Sequence, residues 1–102
     1  MSESPVELAE LQESVIDHAT AMALFDDLEA CADVLDVIMK GGAETRTIPG
    51  TVSLRRAQEF LFTHQVRALQ IRYRFDGAEW RDTVIQHPRG WKIVRMQMPE
   101  LS

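Results

Sequence analysis

The sequence predicts an α+β fold in which N-terminal helices and a further short helix pack on one face of a mostly antiparallel sheet of three or four strands. Three observations predict this fold: apolar residues at helical spacing up to position 40, an apolar–polar alternation from position 69, and a two-residue turn that ends the alternation. The expected order is α-α-β-α-β-β-β. A chain of 102 residues is expected to form a single domain, residues 1–102, with one core.

The N-terminal helices are predicted from a start signal and an apolar stripe. Ser4 can cap a helix, Pro5 suits its first position and Glu7 completes a capping box. Gly41-Gly42 is typical of a helix C-terminus. Apolar residues follow at helical spacing between these points: Leu8, Leu11, Val15, Met22, Phe25, Leu28, Cys31, Leu35 and Ile38.

One helix over this whole stretch would be about 54 Å long, which is too long for a compact domain of this size. We therefore expect a break near Asp26–Asp27 or Ala32–Asp33, or a helix that projects and pairs with another chain. An alternative interpretation makes residues 34–40 and 43–48 a β-hairpin with a two-residue Gly-Gly turn.

The middle of the chain predicts a short strand and a short helix. Residues 43–48 are extended in this interpretation, and Pro49-Gly50 forms a turn. Ser53 can cap the further short helix. Its buried face is expected to carry Leu54, Ala57, Phe60 and Leu61.

The clearest predicted element is a hairpin around Asp76-Gly77, a dipeptide that favours a type I′ turn. This turn sets the register, so that Tyr73 faces Trp80, Arg72 faces Arg81 and Ile71 faces Asp82. A turn at residues 87–90 and a third strand, Trp91–Gln97, complete an antiparallel meander.

Charge and composition limit the class of protein. The net charge is −5, with eleven acids and two bases in residues 1–51 but nine bases and five acids in residues 52–102. This asymmetry predicts packing between the two halves or a partner of opposite charge. The single cysteine, Cys31, cannot form an internal disulfide and indicates the cytoplasm. The chain also has no predicted signal peptide and no apolar run long enough for a membrane span.

No cofactor or metal site is expected from the sequence. His18, His64 and His87 do not lie at metal-ligand spacing from one another or from Cys31. Phosphate-binding glycine loops and nucleophile-elbow motifs are absent from the sequence as well.

Asp82 is the candidate catalytic residue. The hairpin register places it on the apolar face beside Trp80, and a carboxylate in apolar surroundings is a candidate acid or base. Three other interpretations stay open: the face is uncovered there, an arginine pairs with Asp82, or a bulge turns it outward.

The candidate binding surface is the basic strand face formed by Arg72, Arg74 and Arg81. Arg72 and Arg81 face each other, which is unfavourable unless an anion lies over them. That anion could belong to the acidic N-terminal helix of the same chain, to that helix in a second subunit, or to a ligand phosphate; a solvated surface is the alternative. Nucleic acid is not an expected partner, because the net charge is negative and Tyr73 and Trp80 lie on the opposite face.

The segment Gly90-Trp91-Lys92-Ile93-Val94-Arg95-Met96 resembles the closing strand of NTF2-like (SnoaL-type) domains, a resemblance that covers the C-terminal third of the chain. The resemblance implies a conical pocket between helices and a curved sheet. Such pockets serve small apolar ligands, proton transfer or dimerisation. Asp82 would then be a possible general base, and Tyr73 and Trp80 would line the pocket.

The sequence therefore predicts a small cytoplasmic accessory or interaction protein that is not an enzyme. It is expected to self-associate or to bind a protein partner within a larger assembly. The alternative is an NTF2-like protein or enzyme that binds a small apolar ligand in a pocket between helices and sheet.

Overall fold

The computed structural model describes residues 11–41, 46–47 and 53–99, and within them six strands form one antiparallel sheet with two helices on one of its faces. The strand order across the sheet is β1-β6-β5-β4-β2-β3. Along the chain the elements are β1 (Leu11–Ile16), α1 (His18–Cys31), β2 (Asp33–Lys40), β3 (Arg46–Thr47), α2 (Leu54–Phe62), β4 (Ala68–Phe75), β5 (Ala78–His87) and β6 (Gly90–Gln97).

The predicted arrangement of these elements is wrong, although an α+β composition with an antiparallel sheet is correct. In the described residues the order is β-α-β-β-α-β-β-β, and six strands replace the expected three or four. The two predicted N-terminal helices are in fact β1, α1 and β2. The helix start predicted at Ser4–Pro5 lies outside the described residues.

Long-range pairing and local caps explain this difference. β1 pairs with β6 along its whole length, from Leu11 opposite Met96 to Ile16 opposite Trp91. The Asp17 carboxylate then caps α1, since Oδ1 accepts a hydrogen bond of 2.8 Å from the backbone N–H of Thr20. A helical spacing of apolar residues cannot reveal a strand partner that lies some 80 positions away.

The break expected near Ala32–Asp33 is the point where α1 ends, but a strand follows it. In β2 the β-branched residues Val34, Val37 and Ile38 favour extended backbone. The alternative hairpin interpretation was correct that residues 34–40 form a strand. Its two-residue turn was wrong, because Ile38 pairs with Thr47 and leaves a longer connection.

The C-terminal predictions are confirmed. β4 and β5 pair in the predicted register, and Asp76 and Gly77 both have positive φ, as a type I′ turn requires. Ser53 caps α2 through a hydrogen bond of 3.1 Å from the Arg56 N–H to its hydroxyl. β6 starts one residue before the predicted strand.

The sheet has two unlike faces. Both helices pack on the first, which we call the helix face, and it buries the core residues Val37, Met39, Leu69, Ile71, Tyr73, Val84, Trp91 and Ile93. The helices contribute Ala21, Phe25, Leu28, Leu54, Ala57 and Leu61. We call the opposite surface the open face, because within the described residues no helix packs on it.

The β1–β6 pairing depends on Gly90, and a pair of glycine variants tests this. Gly90 has φ +136°, and a Cβ atom there would lie 2.3 Å from the Ile16 carbonyl oxygen. Gly77 has φ +80° but open space around it. We expect Gly77→Ala to lower the free energy of unfolding by about 1 kcal/mol and Gly90→Ala by at least about 3 kcal/mol, both measured by urea denaturation. Equal losses would contradict the assigned contact.

Candidate functional site

Asp82 lies at the centre of the helix face, on β5. Its paired neighbours are Ile71 on β4, as predicted, and Arg95 on β6. The side chain is 0% exposed. Because burial of an ionised carboxylate is costly unless the charge is paired and hydrogen-bonded, the neighbours of Asp82 decide its chemistry.

Three donors surround the Asp82 carboxylate. Arg95 Nε donates to Oδ1 at 2.9 Å and Nη2 donates to Oδ2 at 2.7 Å, which is a bidentate ion pair. The Tyr73 hydroxyl donates to Oδ1 at 3.1 Å. Of the interpretations that the sequence left open, pairing with an arginine is the one that the structure shows.

The partners of Asp82 are held in their donating forms. Burial raises the pKa of Tyr73 above its ordinary value, and the negative charge of Asp82 raises it further, so the phenol keeps its proton. The hydrogen bond to Asp82 raises the pKa of the Arg95 guanidinium. Both oxygens of Asp82 are therefore occupied by donors, which leaves the carboxylate poorly placed to take a proton from a substrate.

Arg95 was not among the residues that the sequence analysis selected, although a signal for it exists. Pro88 and Arg89 form a two-residue turn, so His87 pairs with Gly90 and the register continues to Asp82 opposite Arg95. Extending the predicted meander across this turn would have paired the two residues.

Arg95 also lines a cleft of about 200 Å³ between β1, α1 and β6. Its side chain is 33% exposed, so Arg95 contacts the fully buried Asp82 carboxylate on one side and solvent on the other. The other lining residues are Gln12, Ser14, Ile16, Thr20, Leu24 and Ile93. Tyr73 and Trp80, which the sequence placed around a pocket, do not line this cleft; Trp80 is half-buried against the core.

The arginines of the predicted basic strand face lie on the open face, where acids of the sheet neutralise part of their charge. Arg72 does face Arg81, as predicted. Arg72 Nη2 lies 2.6 Å from Asp36 Oδ2, and Nη1 lies 3.1 Å from Glu79 Oε2. The hydrogen bonds to Asp36 and then Glu79 raise the pKa of Arg72.

The anion over Arg72 is thus supplied by neighbouring strands rather than by an acidic helix. Residues 11–16 of the predicted acidic helix form β1, and residues 1–10 lie outside the described part of the chain. Arg74 is exposed. Arg81 Nε is buried and has no hydrogen-bond partner among the described residues.

An apolar band crosses the middle of the open face. Pairing places Ile85 and Val94 beside Thr83 near its centre, and Val15, on β1, is 45% exposed. We define the band by the side chains Val15, Ile38, Thr83, Ile85, Val94 and Met96; Gln70 lies between Ile38 and Thr83, and Lys92 lies between Val15 and Ile85. Charged residues lie around it, including the Arg72–Asp36–Glu79 cluster. The Nζ atom of Lys92 lies 3.7 Å from Glu13 Oε1.

The described ranges 11–41, 46–47 and 53–99 contain no group of three or more histidine, cysteine or carboxylate side chains that could hold a metal ion. No helix among them is long and apolar enough to cross a membrane.

Comparison with protein-family models, with curated proteins and with solved structures returned no match to this chain.

Removing Arg95 should lower the free energy of unfolding far more than removing an arginine of the open face. Arg95→Met leaves the Asp82 carboxylate buried with only Tyr73 as partner, and we expect a loss of about 3–5 kcal/mol in the free energy of unfolding. The control Arg72→Met breaks part-exposed pairs and should cost at most about 1 kcal/mol. The triple variant Asp82→Leu, Arg95→Met, Tyr73→Phe removes every polar member and should recover most of the loss. Urea denaturation checks all three, and similar losses in the two single variants would contradict the burial argument.

The ionisation of Tyr73 should be suppressed in the folded protein. Tyr73 is the one tyrosine of the chain, so the phenolate absorbance reports on it alone. Since its pKa in the folded state lies above the ordinary 10.0, the stability that it contributes is fully present below pH 10.0 and falls as the pH rises further. We expect phenolate to appear only with alkaline unfolding, and Tyr73→Phe to weaken the alkaline dependence of stability. A titration of the folded protein near pH 10.0 would contradict the hydrogen bond to Asp82.

Proposed function

We propose that this protein is a non-enzymatic interaction protein that self-associates, with two copies meeting through their open faces. The observation that carries the proposal is the apolar band, five apolar side chains and Thr83, on a sheet surface where no described helix packs. A cluster of apolar side chains on a surface, with polar residues around it, is typical of a protein–protein contact. We propose the cytoplasm as its compartment, because a single cysteine, Cys31, is compatible with a reducing environment.

The size of the open face suits such a contact. The five longer strands, of six to ten residues, lie about 4.8 Å apart and make a sheet about 19 Å wide, and a strand of eight residues is about 26 Å long. A standard interface takes about 800 Å² of accessible surface from each partner. A pleated surface of these dimensions can supply most of that area.

The charge of the open face favours a second copy as the occupant. Its described acids (Glu13, Asp33, Asp36 and Glu79) nearly balance its described bases (Lys40, Arg72, Arg74, Arg81 and Lys92). A face with one dominant sign would repel its own copy and would attract a partner of opposite charge. A nearly neutral face with an apolar centre can pair with itself across a two-fold axis, the commonest symmetry of homo-oligomers.

The catalytic alternative receives less support. Asp82, its possible general base, has both oxygens occupied by Arg95 and Tyr73. One observation supports the NTF2-like alternative: a cleft lies between α1 and the sheet. That cleft supports ligand binding without a catalytic step.

Light scattering on the purified chain at low and high salt tests self-association. We expect a dimer at both salt concentrations, because salt screens charge contacts but does not weaken apolar ones. Val94→Glu puts a charge in the apolar band and should give a monomer. The matched control, Met22→Glu, changes an exposed apolar residue of α1 and should remain dimeric.

A monomer at both salt concentrations would contradict the proposal. A dimer that dissociates at high salt would show that the charged rim, rather than the apolar band, drives association. Dissociation in Met22→Glu but not in Val94→Glu would place the contact on the helix side.

A further inference from the structure

The guanidinium of Arg95 has one edge bound and one edge unoccupied. Nε and Nη2 form the edge that binds Asp82. The other edge, formed by Nη1 and the second N–H of Nη2, donates no hydrogen bond to any described residue. A planar guanidinium carries five N–H donors, and each edge matches the two oxygens of a carboxylate.

Arg95 is fixed before any ligand arrives. Asp82 is completely buried, Tyr73 donates to it, and the bidentate contact holds the plane of the guanidinium. A ligand would therefore not have to pay for ordering a long flexible side chain, which is a substantial part of the cost of binding to most surface arginines.

The lining of the cleft combines polar donors with apolar surface. Ser14 and Thr20 supply hydroxyl groups and Gln12 supplies an amide. The apolar part of the lining consists of Ile16, Leu24 and Ile93. The volume of about 200 Å³ is small, below the roughly 300–1,000 Å³ of pockets for drug-sized ligands.

We infer that this cleft binds the carboxylate of a short-chain organic acid, with the carboxylate on the unoccupied edge of Arg95 and the apolar tail against Ile16, Leu24 and Ile93. The apolar lining favours a carboxylate with a hydrocarbon tail over inorganic phosphate, which has no apolar part. The inference is independent of self-association, because the cleft opens on the helix side of the sheet.

Asp82 limits the affinity. Its negative charge lies on the far edge of the guanidinium and partly offsets the attraction for a second carboxylate. The nearer guanidinium still dominates, because Coulomb energy falls with distance. The expected binding is therefore of millimolar strength, which titration by NMR can measure.

The test is a titration of the ¹⁵N-labelled full chain with sodium butyrate at constant ionic strength. Butyramide, of the same shape without the charge, and inorganic phosphate, a charge without a tail, are titrated in parallel. We expect butyrate alone to give saturable shifts at the backbone amides of Ser14, Ile93 and Arg95.

Variants separate the cleft from the rest of the surface. Thr20→Trp fills the cleft but leaves both members of the Asp82–Arg95 pair unchanged, and it should weaken butyrate binding by at least about tenfold. Ala30→Trp adds the same side chain at an exposed position near the end of α1 and should leave binding unchanged. Ser14→Trp fills the cleft from β1, and it replaces Thr20→Trp in the test if that variant does not fold.

Several outcomes would overturn the inference. The first is the absence of saturable shifts with butyrate. The second is an equal response to butyramide, which would remove the role of Arg95. The third is stronger binding of phosphate, which would make the site a general anion site. Retention of binding in both cleft-filling variants would place the ligand elsewhere. The dimer-breaking Val94→Glu variant should still bind butyrate, so the two proposals fail separately.

Discussion

The fold is organised around one buried charge, the carboxylate of Asp82. A lone ionised carboxylate in this core would cost several kcal/mol. The bidentate ion pair with Arg95 and the hydrogen bond from the Tyr73 hydroxyl offset that cost. These three residues come from β4, β5 and β6, at neighbouring positions of the central sheet. A shift of either pairing by one residue would move a member of the triad to the open face and leave the charge uncompensated. The triad therefore selects the register of the three strands.

The same requirement shapes the edge of the sheet. Arg95 reaches Asp82 from β6, and β1 pairs with the other side of β6. The side chains of Gln12 and Ser14 then lie on the helix face beside Arg95 and Ile93, which are their paired neighbours. They are too small and too polar to fill the space under α1 as Phe25 and Leu61 do further inside. The cleft is the consequence of a polar strand edge placed next to an apolar core.

The sequence predicted most where structure is decided locally. Asp76-Gly77 set the β4–β5 register, and from it followed the placement of Asp82 on the apolar face opposite Ile71. Arg95 could have been added from the short turn at Pro88-Arg89. β1 could not have been predicted in the same way, because Leu11 and Val15 fit a helix as well as a strand. Their conformation is decided by pairing with β6 at the other end of the chain, and one sequence holds no local signal of that pairing.

The charge asymmetry of the two halves is resolved in part by ion pairs inside the molecule. Acids from the first half pair with bases from the second: Asp36 with Arg72, Asp26 and Glu29 with Arg55, and Glu13 with Lys92. These pairs are part-exposed and individually weak, and they neutralise part of the positive charge of the second half. A surface without a dominant sign cannot select a partner by charge. What distinguishes the open face is then its apolar band. On the other side of the sheet, Arg95 is held by Asp82 through one edge of its guanidinium and is partly exposed to solvent. The two faces are consequently suited to different ligands, one to an apolar protein surface and the other to a small acid.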